Sequence, residues 1–442
     1  MVFCSANLTN FGETLAIFVT VYALADCNNF FVSCERAFQP ELEGRAVVVL
    51  SNNDGCVVAR SNEAKAMDIA MGTPYFKLGK LVDSGRLLVR SSNYTLYGDL
   101  SHRVMNILRE AVPDMEVYSI DEAFLNLEGI PREQWVPLCL GLVKRIRQWV
   151  GIPVSIGIAP TKTLGKVANH FAKKYPGYQG VCLADTPDKW EKALKLTPIG
   201  DVWGIGWRSA PKLQSSGVNT AADFTAKPEA RVLKHMGITG VRTWKELQGI
   251  SCIEDEEPER RQSICTSRSF AEPITTRDEL SLRISDFAGI CAAKLRKDGS
   301  AAGEVAVFMQ TNRFRSDLPQ YYPFLRKRLP TAVNNTPEIV SAALALMDEA
   351  WKDGYAYKRA GVIVGETVPE DEVQGALFDS VSPEDRDREN RISAIMDKVN
   401  RSSGKTLLRV ATQRPGHYAD GIRREHCSNL YSTDWSELLT VK

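Results

Sequence analysis

The chain has 442 residues, of which 44% are hydrophobic and 25% charged, with a formal net charge of +1. That length is too great for one hydrophobic core and points to three or four domains, while the composition excludes fibrous, disulfide-rich and wholly disordered classes. A near-zero net charge does not exclude a nucleic-acid partner, because basic and acidic segments cancel and charge has to be read by region.

Ten cysteines run from Cys4 to Cys427 with no C-x-x-C pair, which argues against structural zinc and fits a reducing cytoplasm. Residues 1–20 contain no Lys or Arg, so they lack the basic start of a signal peptide, and the apolar run from Leu15 to Ala25 is too short to span a membrane. These residues read as a flexible leader or an early start.

The first core strand is expected from Val21 into "VYALADCNNFF", where it meets a single acid, Asp26. A helix follows around Phe31–Phe38, then a buried strand at 45–51 and a helix at 61–69. An amphipathic helix at 97–112 carries Leu100, Val104, Ile107 and Leu108 on one face. Next come a strand "MEVYSI", the acids Asp121 and Glu122, a strand "AFLNL", a helix at 136–150 and a strand "PVSIGIA". This order is β-α-β-β-α-β, the ferredoxin-like arrangement.

Two adjacent acids inside an apolar strand pattern need compensation, because a carboxylate in an apolar setting is costly. A continuous strand would send Asp121 and Glu122 to opposite faces, whereas a hairpin tip or bulge lets them converge. In a ferredoxin-like sheet the first strand can lie beside that hairpin, adding Asp26. Three hard oxygen donors in one place suit magnesium. The alternative is a solvated turn at 121–122 and a helix cap at Asp26.

Further along, "GIAPTKTLGKVANHFAKK" (157–174) turns from strand to helix and carries Lys162, Lys166, Lys173 and Lys174. A lysine at such a turn can reach a phosphate; the alternative is a solvated basic face. "DVWGIGWRSAPKLQSSGV" (201–218) has the form of a helix-hairpin-helix: Gly204 and Gly206 permit a tight turn, and Arg208 and Lys212 supply charge to hold a DNA backbone. "HMGITG" (235–240) is a second candidate hairpin. "SCIEDEEPERR" reads as a linker. Residues 262–365 form another α/β unit with 14 Lys/Arg against 11 Asp/Glu, where Arg313, Arg315, Arg326, Lys327 and Arg328 concentrate. Residues 366–390 hold nine acids against two arginines and are expected to be a disordered tether; 391–442, with nine basic residues against five acids, can fold in part or dock on a partner. Within the acidic part, "QGALF" offers Gln374, Leu377 and Phe378 for docking in an apolar pocket.

Taken together, "ALADCNNFFVSCE", "VVVLSNNDGCVVARSNEAKA", "SSNYTLYGDLSHRVM", "VYSIDEAF", "GIAPTKTLGKVANH" and "DVWGIG" resemble the Y-family DNA polymerases, most closely their UmuC branch. The resemblance runs from Val21 to the C-terminus. It implies an α+β right-hand polymerase: a ferredoxin-like palm (21–30 and 98–190), small fingers (31–97), a helix-hairpin-helix thumb (191–252), a linker (253–261), an α/β little finger (262–365) that grips the duplex, and a tail (366–442).

The same resemblance implies that Asp26, Asp121 and Glu122, with the Cys27 carbonyl, hold two magnesium ions that align a primer 3′-hydroxyl with the α-phosphate of an incoming deoxynucleoside triphosphate. Phe31 would be the steric gate against a 2′-hydroxyl, with Phe30 beside it. Lys162, Arg60, Asn62 and Lys65 would face the triphosphate, and Gln374, Leu377 and Phe378 would form a sliding-clamp peptide. The implied role is error-prone translesion synthesis on damaged primer-template DNA in the SOS response, with a UmuD-like dimer and a RecA filament as partners. The alternatives are a non-catalytic DNA-binding adaptor, another enzyme on the same palm such as a nucleotidyl cyclase, or a polymerase of another Y-family branch.

Overall fold

The computed structural model describes residues 21–254, 260–376, 379, 381–403, 406–413 and 423–439. The expected leader at 1–20 and the clamp residues Leu377 and Phe378 lie outside the described residues. The chain divides into two compact units, one formed by the residues before the acidic linker together with those from 424 onward, the other by the segment up to 423.

In the first unit β1 (Tyr22–Cys27) is apolar because both faces are covered. Ala23, Ala25 and Cys27 enter the main core, while Leu24 and Tyr22 pack with Phe124 on the other face. Helix α1 (Phe30–Phe38) follows Asn29, which holds a left-handed conformation at φ 48°. A small sheet then forms from β2 (Val47–Leu50), β3 (Val57–Arg60) and, after α2 (Asn62–Ala66) and α3 (Gly79–Asp83), β4 (Leu88–Ser91), in the order β3-β2-β4. Helix α2 ends earlier than the expected 69: after a last turn at Met67, Asp68 adopts φ 56°, which no helix continues through.

The larger sheet is completed by α4 (Tyr94–Arg109), β5 (Asp114–Val117), β6 (Glu122–Asn126), α5 (Arg132–Val150), β7 (Val154–Ala159), α6 (Lys162–Lys174) and β8 (Val181–Leu183). Its strand order is β5-β6-β1-β7-β8, with β1 antiparallel to both β6 and β7. The first four of these strands reproduce the ferredoxin-like arrangement, and β8 extends it parallel to β7. Helix α6 lies very close on β7: a Cβ at Gly157 would sit 2.2 Å from the Asn169 nitrogen and 2.3 Å from the Gly165 oxygen, so only glycine admits the contact.

Beyond the sheet, α7 (Pro187–Leu196), α8 (Ala210–Ser215), α9 (Ala221–Thr225) and α10 (Glu229–Glu246) share a third core. Gly237, at φ 68° and ψ −166°, breaks α10 into two segments at the second expected hairpin.

The second unit is one antiparallel sheet, β11-β10-β12-β9, with helices packed against it. Its elements in order are β9 (Ser263–Ile274), α11 (Arg277–Lys297), β10 (Ser300–Thr311), β11 (Phe324–Val333), α12 (Thr336–Ala350), β12 (Tyr357–Pro369) and α13 (Pro383–Ser403). Two expectations are corrected here. The sheet does not stop at Gly365, since β12 runs to Pro369, and the acidic stretch 366–390 is not a plain tether, since α13 begins inside it. Its acids and their neighbours are paired rather than repelling: Arg386 binds Glu338 at 3.0 Å and Asp379 at 2.9 Å, and Arg296 binds Asp397 at 2.7 Å. The tail also does not form a single body, because residues from 424 onward belong to the first unit. Among the described residues no helix is long and apolar enough to cross a membrane.

Candidate active site

The acid pair sits where the strand alternation fails. Residues 118–121 turn between β5 and β6, with the amides of Tyr118 and Ser119 donating to the Glu122 carbonyl at 3.1 and 3.0 Å. The Ser119 hydroxyl donates to Asp121 Oδ1 at 2.5 Å and accepts from the Asp121 and Glu122 amides. A hydroxyl that ties down its own turn in this way releases Asp121 from strand geometry just before Glu122 opens β6. Register then places Asp26 directly opposite Glu122, and the Cys27 amide donates to the Asp121 carbonyl at 2.9 Å. The buried Cys27 thiol is pushed well up, first by desolvation and then by the charges of Asp26, Asp121 and Glu122, so all three carboxylates act on one point.

Helix α6 answers those carboxylates. Lys173 Nζ lies 2.5 Å from Asp26 Oδ2, and Lys166 Nζ donates to both oxygens of Glu122 at 2.9 and 3.0 Å. Burial drives the Asp26 carboxyl up to about 7; Lys173 opposes this shift and Glu122 adds to it. Lys166 also stands over the rings of Tyr118, Trp203 and Phe124, at 4.6, 5.1 and 5.8 Å.

Lys162 is elsewhere. It is 1% exposed, pairs with Glu116 at 2.5 Å, donates to the Glu254 carbonyl at 2.9 Å and stands over Tyr22 and Phe124. The expected triphosphate contact is therefore corrected. Lys162 begins α6 beside the Tyr22 end of β1, four residues and roughly 13 Å of strand from Asp26. Lys173, three helical turns further on, reaches the acids instead. Lys162, Lys166 and Lys173 are spaced by four and seven, which places them on one helix face. That spacing is the signal that could have singled out Lys166 and Lys173, which the sequence alone leaves as part of a basic helix face.

Among the described residues no three His, Cys, Asp or Glu side chains stand close enough to hold an ion as they are, and lysines engage two of the acids. The donor chemistry nevertheless fits a hard divalent cation. The register sets Asp26 opposite Glu122 with Asp121 just before it, and buried Asn28 Oδ1 has no hydrogen-bond partner.

On the side of the small sheet, Asn29 organises a second group. Its side chain donates to Asn62 Oδ1 at 3.1 Å and accepts from Lys65 Nζ at 2.6 Å. The Lys65 ammonium is pulled down by burial and then by the neighbouring charges of Arg60 and Lys173, with Asp26 opposing. Arg60 donates to the Ile69 carbonyl at 2.6 Å, while its buried Nε has no partner. Arg60 and Lys173 thus form a cation cluster with Lys65, both placing like charge on it. Asn29 was not singled out by its sequence context.

The two phenylalanines separate. Phe30 is 3% exposed and belongs to the core, so its expected nucleotide contact is corrected. Phe31 is half-buried, stacks on Tyr97 with centroids 4.5 Å apart and 15° between planes, and meets Tyr94 edge-on at 5.9 Å.

Of the expected DNA contacts, Gly204 holds φ +86° against Thr243, while Gly206 faces open space. Arg208 is exposed over the ring of Trp207, and Lys212 lines a pocket of about 310 Å³ with Lys227, Arg231 and His235. Arg313 lies over Tyr322 at 5.9 Å, and Arg315 is paired with Asp317 at 2.6 Å. Gln374 is exposed, and the neighbouring Ala376 amide is tied to Thr331 of β11 at 3.0 Å.

The chain matches known proteins. Residues 25–170 fit the impB/mucB/samB family and 261–377 its C-terminal domain. Protein UmuC of Salmonella typhimurium strain LT2 is 38% identical over 432 residues, covering 96% of this chain and 100% of that one. The chain belongs to the UmuC branch of the Y-family DNA polymerases. Protein ImpB of Salmonella typhimurium is 37% identical, covering 95% of this chain and 99% of that one. DNA polymerase IV of Moorella thermoacetica is 29% identical over 89% of this chain and 96% of its own length. A solved Y-family polymerase chimera of Dbh and Dpo4 shares the fold, with a TM-score of 0.64 at 20% identity over 79% of this chain and 99% of that one. Residues 390–441 match a domain of unknown function. As a Y-family member of the UmuC branch, the protein is a DNA-directed DNA polymerase of the error-prone translesion class.

Proposed function

We propose that the palm acids and the cation cluster form one nucleotidyl-transfer site for translesion synthesis. Asp26, Asp121 and Glu122, with the Cys27 carbonyl, would hold two magnesium ions. When bound, these ions supply the charge that activates a primer 3′-hydroxyl and stabilises the in-line transition state. Lys166 and Lys173, now paired with Glu122 and Asp26, are released for phosphate oxygens when the acids turn to the cations. Arg60, Lys65 and Lys173 receive the triphosphate, with Asn29 and Asn62 holding Lys65 in place. The sugar rests on Phe31, and the helix-hairpin-helix and the basic sheet of the second unit hold the duplex.

The observation that carries this reading is the placing of Lys166 and Lys173 on one helix face, paired with Glu122 and Asp26 at 2.9 and 2.5 Å. Cations standing at the acids suit a polyanionic ligand brought there by a divalent metal. A cytoplasmic setting, a UmuD-like dimer, a RecA filament and a sliding clamp bound through Gln374, Leu377 and Phe378 complete the proposal.

The test is primer extension across an abasic site with magnesium, with and without a UmuD-like dimer and activated RecA. Wild type should extend and Asp121→Asn should not, while both bind DNA equally. Loss of DNA binding along with extension would instead assign Asp121 to the fold.

A further inference from the structure

We propose that residues 424–439 form an intramolecular strap that positions the Phe31 ring and thereby sets how strictly the site rejects a ribose sugar. The proposal rests on the reading of Phe31 as the gate. It gives a role to a segment whose family match carries no function.

The strap grips both helices that flank the ring. At one end it runs beside β4, where the Ser91 amide donates to the His426 carbonyl at 3.0 Å and the His426 amide donates to Ser91 Oγ at 3.1 Å. It then meets Asn93, the cap of α4. Asn93 Oδ1 accepts from the Leu96 amide at 3.2 Å, while Asn93 Nδ2 is shared between the carbonyls of Ser428 and Asn429 at 3.1 and 3.2 Å. One buried amide therefore fixes the first turn of α4 and the strap together. That turn carries Tyr94 and Tyr97, the two rings against Phe31.

At its other end the strap holds α1. Tyr431 stacks on Phe38 with centroids 5.1 Å apart and 11° between planes, and its hydroxyl accepts from Gln39 Nε2 at 3.1 Å. Phe38 closes the helix whose second residue is Phe31. Beneath the ring the two helices are cross-linked, since the Tyr97 hydroxyl donates to Glu35 Oε1 at 2.6 Å. A gate that acts by contact with one hydroxyl needs its ring fixed to a fraction of an ångström, and its supporting shell decides that precision. Here much of the shell comes from the far end of the chain.

The experiment compares single-nucleotide insertion of deoxy- and ribonucleotides by the full-length chain and its variants Asn93→Ser, Tyr431→Ala and Tyr431→Phe, with UmuD-like dimer and RecA present. Serine keeps an acceptor at the cap but cannot span to both strap carbonyls. Asn93→Ser should lower the deoxy-to-ribo ratio of kcat/KM by about tenfold, the scale of one or two lost buried hydrogen bonds, and Tyr431→Ala should lower it by about as much through loss of the Phe38 stack. Tyr431→Phe, which keeps the stack, should hold the ratio near wild type. Phe31→Ala should lower the ratio further, and adding Tyr431→Ala to it should change nothing more. If Phe31→Ala relaxes sugar selection but the strap variants do not, the strap proposal fails and the gate stands. If Phe31→Ala itself leaves selection unchanged, the gate reading fails and the strap proposal with it. An equal loss for both sugars that persists in the Phe31→Ala background also overturns the proposal, leaving the strap as general support.

Discussion

The palm sheet and the sheet of the second unit handle charge in opposite ways. In the palm, β1 lies inside the sheet, and its acid is opposed by Glu122, answered by Lys173 at 2.5 Å and largely withdrawn from water. In the second unit, β11 lies at the edge and carries Arg326, Lys327 and Arg328; the two arginines are 71% and 77% exposed, with only loose or surface carboxylate partners. Few charges held in low dielectric give position and strength. Many charges in water give reach, and are screened by salt. Catalysis needs the first kind and grip on a duplex of any sequence needs the second.

The sharpest way to break this contrast is Asp26→Asn. It should abolish insertion, by about a thousandfold or more in kcat. It should leave Tm unchanged or raised, because the burial that lifts the Asp26 carboxyl already favours a neutral side chain there. A fall in Tm of several degrees would make Asp26 a structural charge. Next in size is the comparison of two lysines on one helix. Lys162→Ala strips the partner from Glu116 in a buried setting and should cost about 3 kcal/mol in urea unfolding. Lys173→Ala should cost less in unfolding, because the Asp26 carboxyl, already lifted to about 7, takes up a proton when its partner goes, and should raise KM for the nucleotide about tenfold, the scale of one charge-assisted hydrogen bond. Reversal of these two phenotypes would restore Lys162 to the triphosphate.

For the second sheet, replacing Arg326, Lys327 and Arg328 by alanine should flatten the salt dependence of DNA affinity, by up to about 0.9 in slope for each phosphate that is no longer neutralised. Fluorescence anisotropy across a salt series measures it, and an unchanged slope would take β11 off the DNA. The last test concerns pH. Folding raises the Asp26 carboxyl from 3.8 to about 7, so between those values the folded state binds more protons than the unfolded one. Without divalent metal, this group's contribution to stability is therefore greatest at acid pH and declines as pH rises towards 7. Thermal melts in chelator should show that slope, and millimolar magnesium should reduce it; a Tm that rises over the interval in Asp26-containing protein but not in Asp26→Asn would contradict the shift.

The sequence was most legible where chemistry and pattern conflicted. Asp121 and Glu122 stood out because acids interrupted an apolar run, and the β-α-β-β-α-β order followed from hydrophobic periodicity. It was least legible where partners are remote. Lys173 looked like one charge on a solvated face, because nothing local shows that α6 lays that face over Asp26. Residues 366–390 read as a disordered tether because a count of charges cannot show that Arg386 gathers Asp379 and Glu338. The strap was invisible for the same reason: Asn93 and Ser428 are 335 positions apart, and Gln39 and Tyr431 are 392 apart.

The exposed edge of β11 has a bearing on the protein's life away from DNA. An unpaired strand edge is a template for joining another chain, and lysine and arginine along it are a common protection. Arg326, Lys327 and Arg328 would keep two copies of this sheet from zipping together. Removing them would therefore do more than loosen a grip: it would leave a sticky border, and the variant would be expected to self-associate at concentrations where the parent stays dispersed.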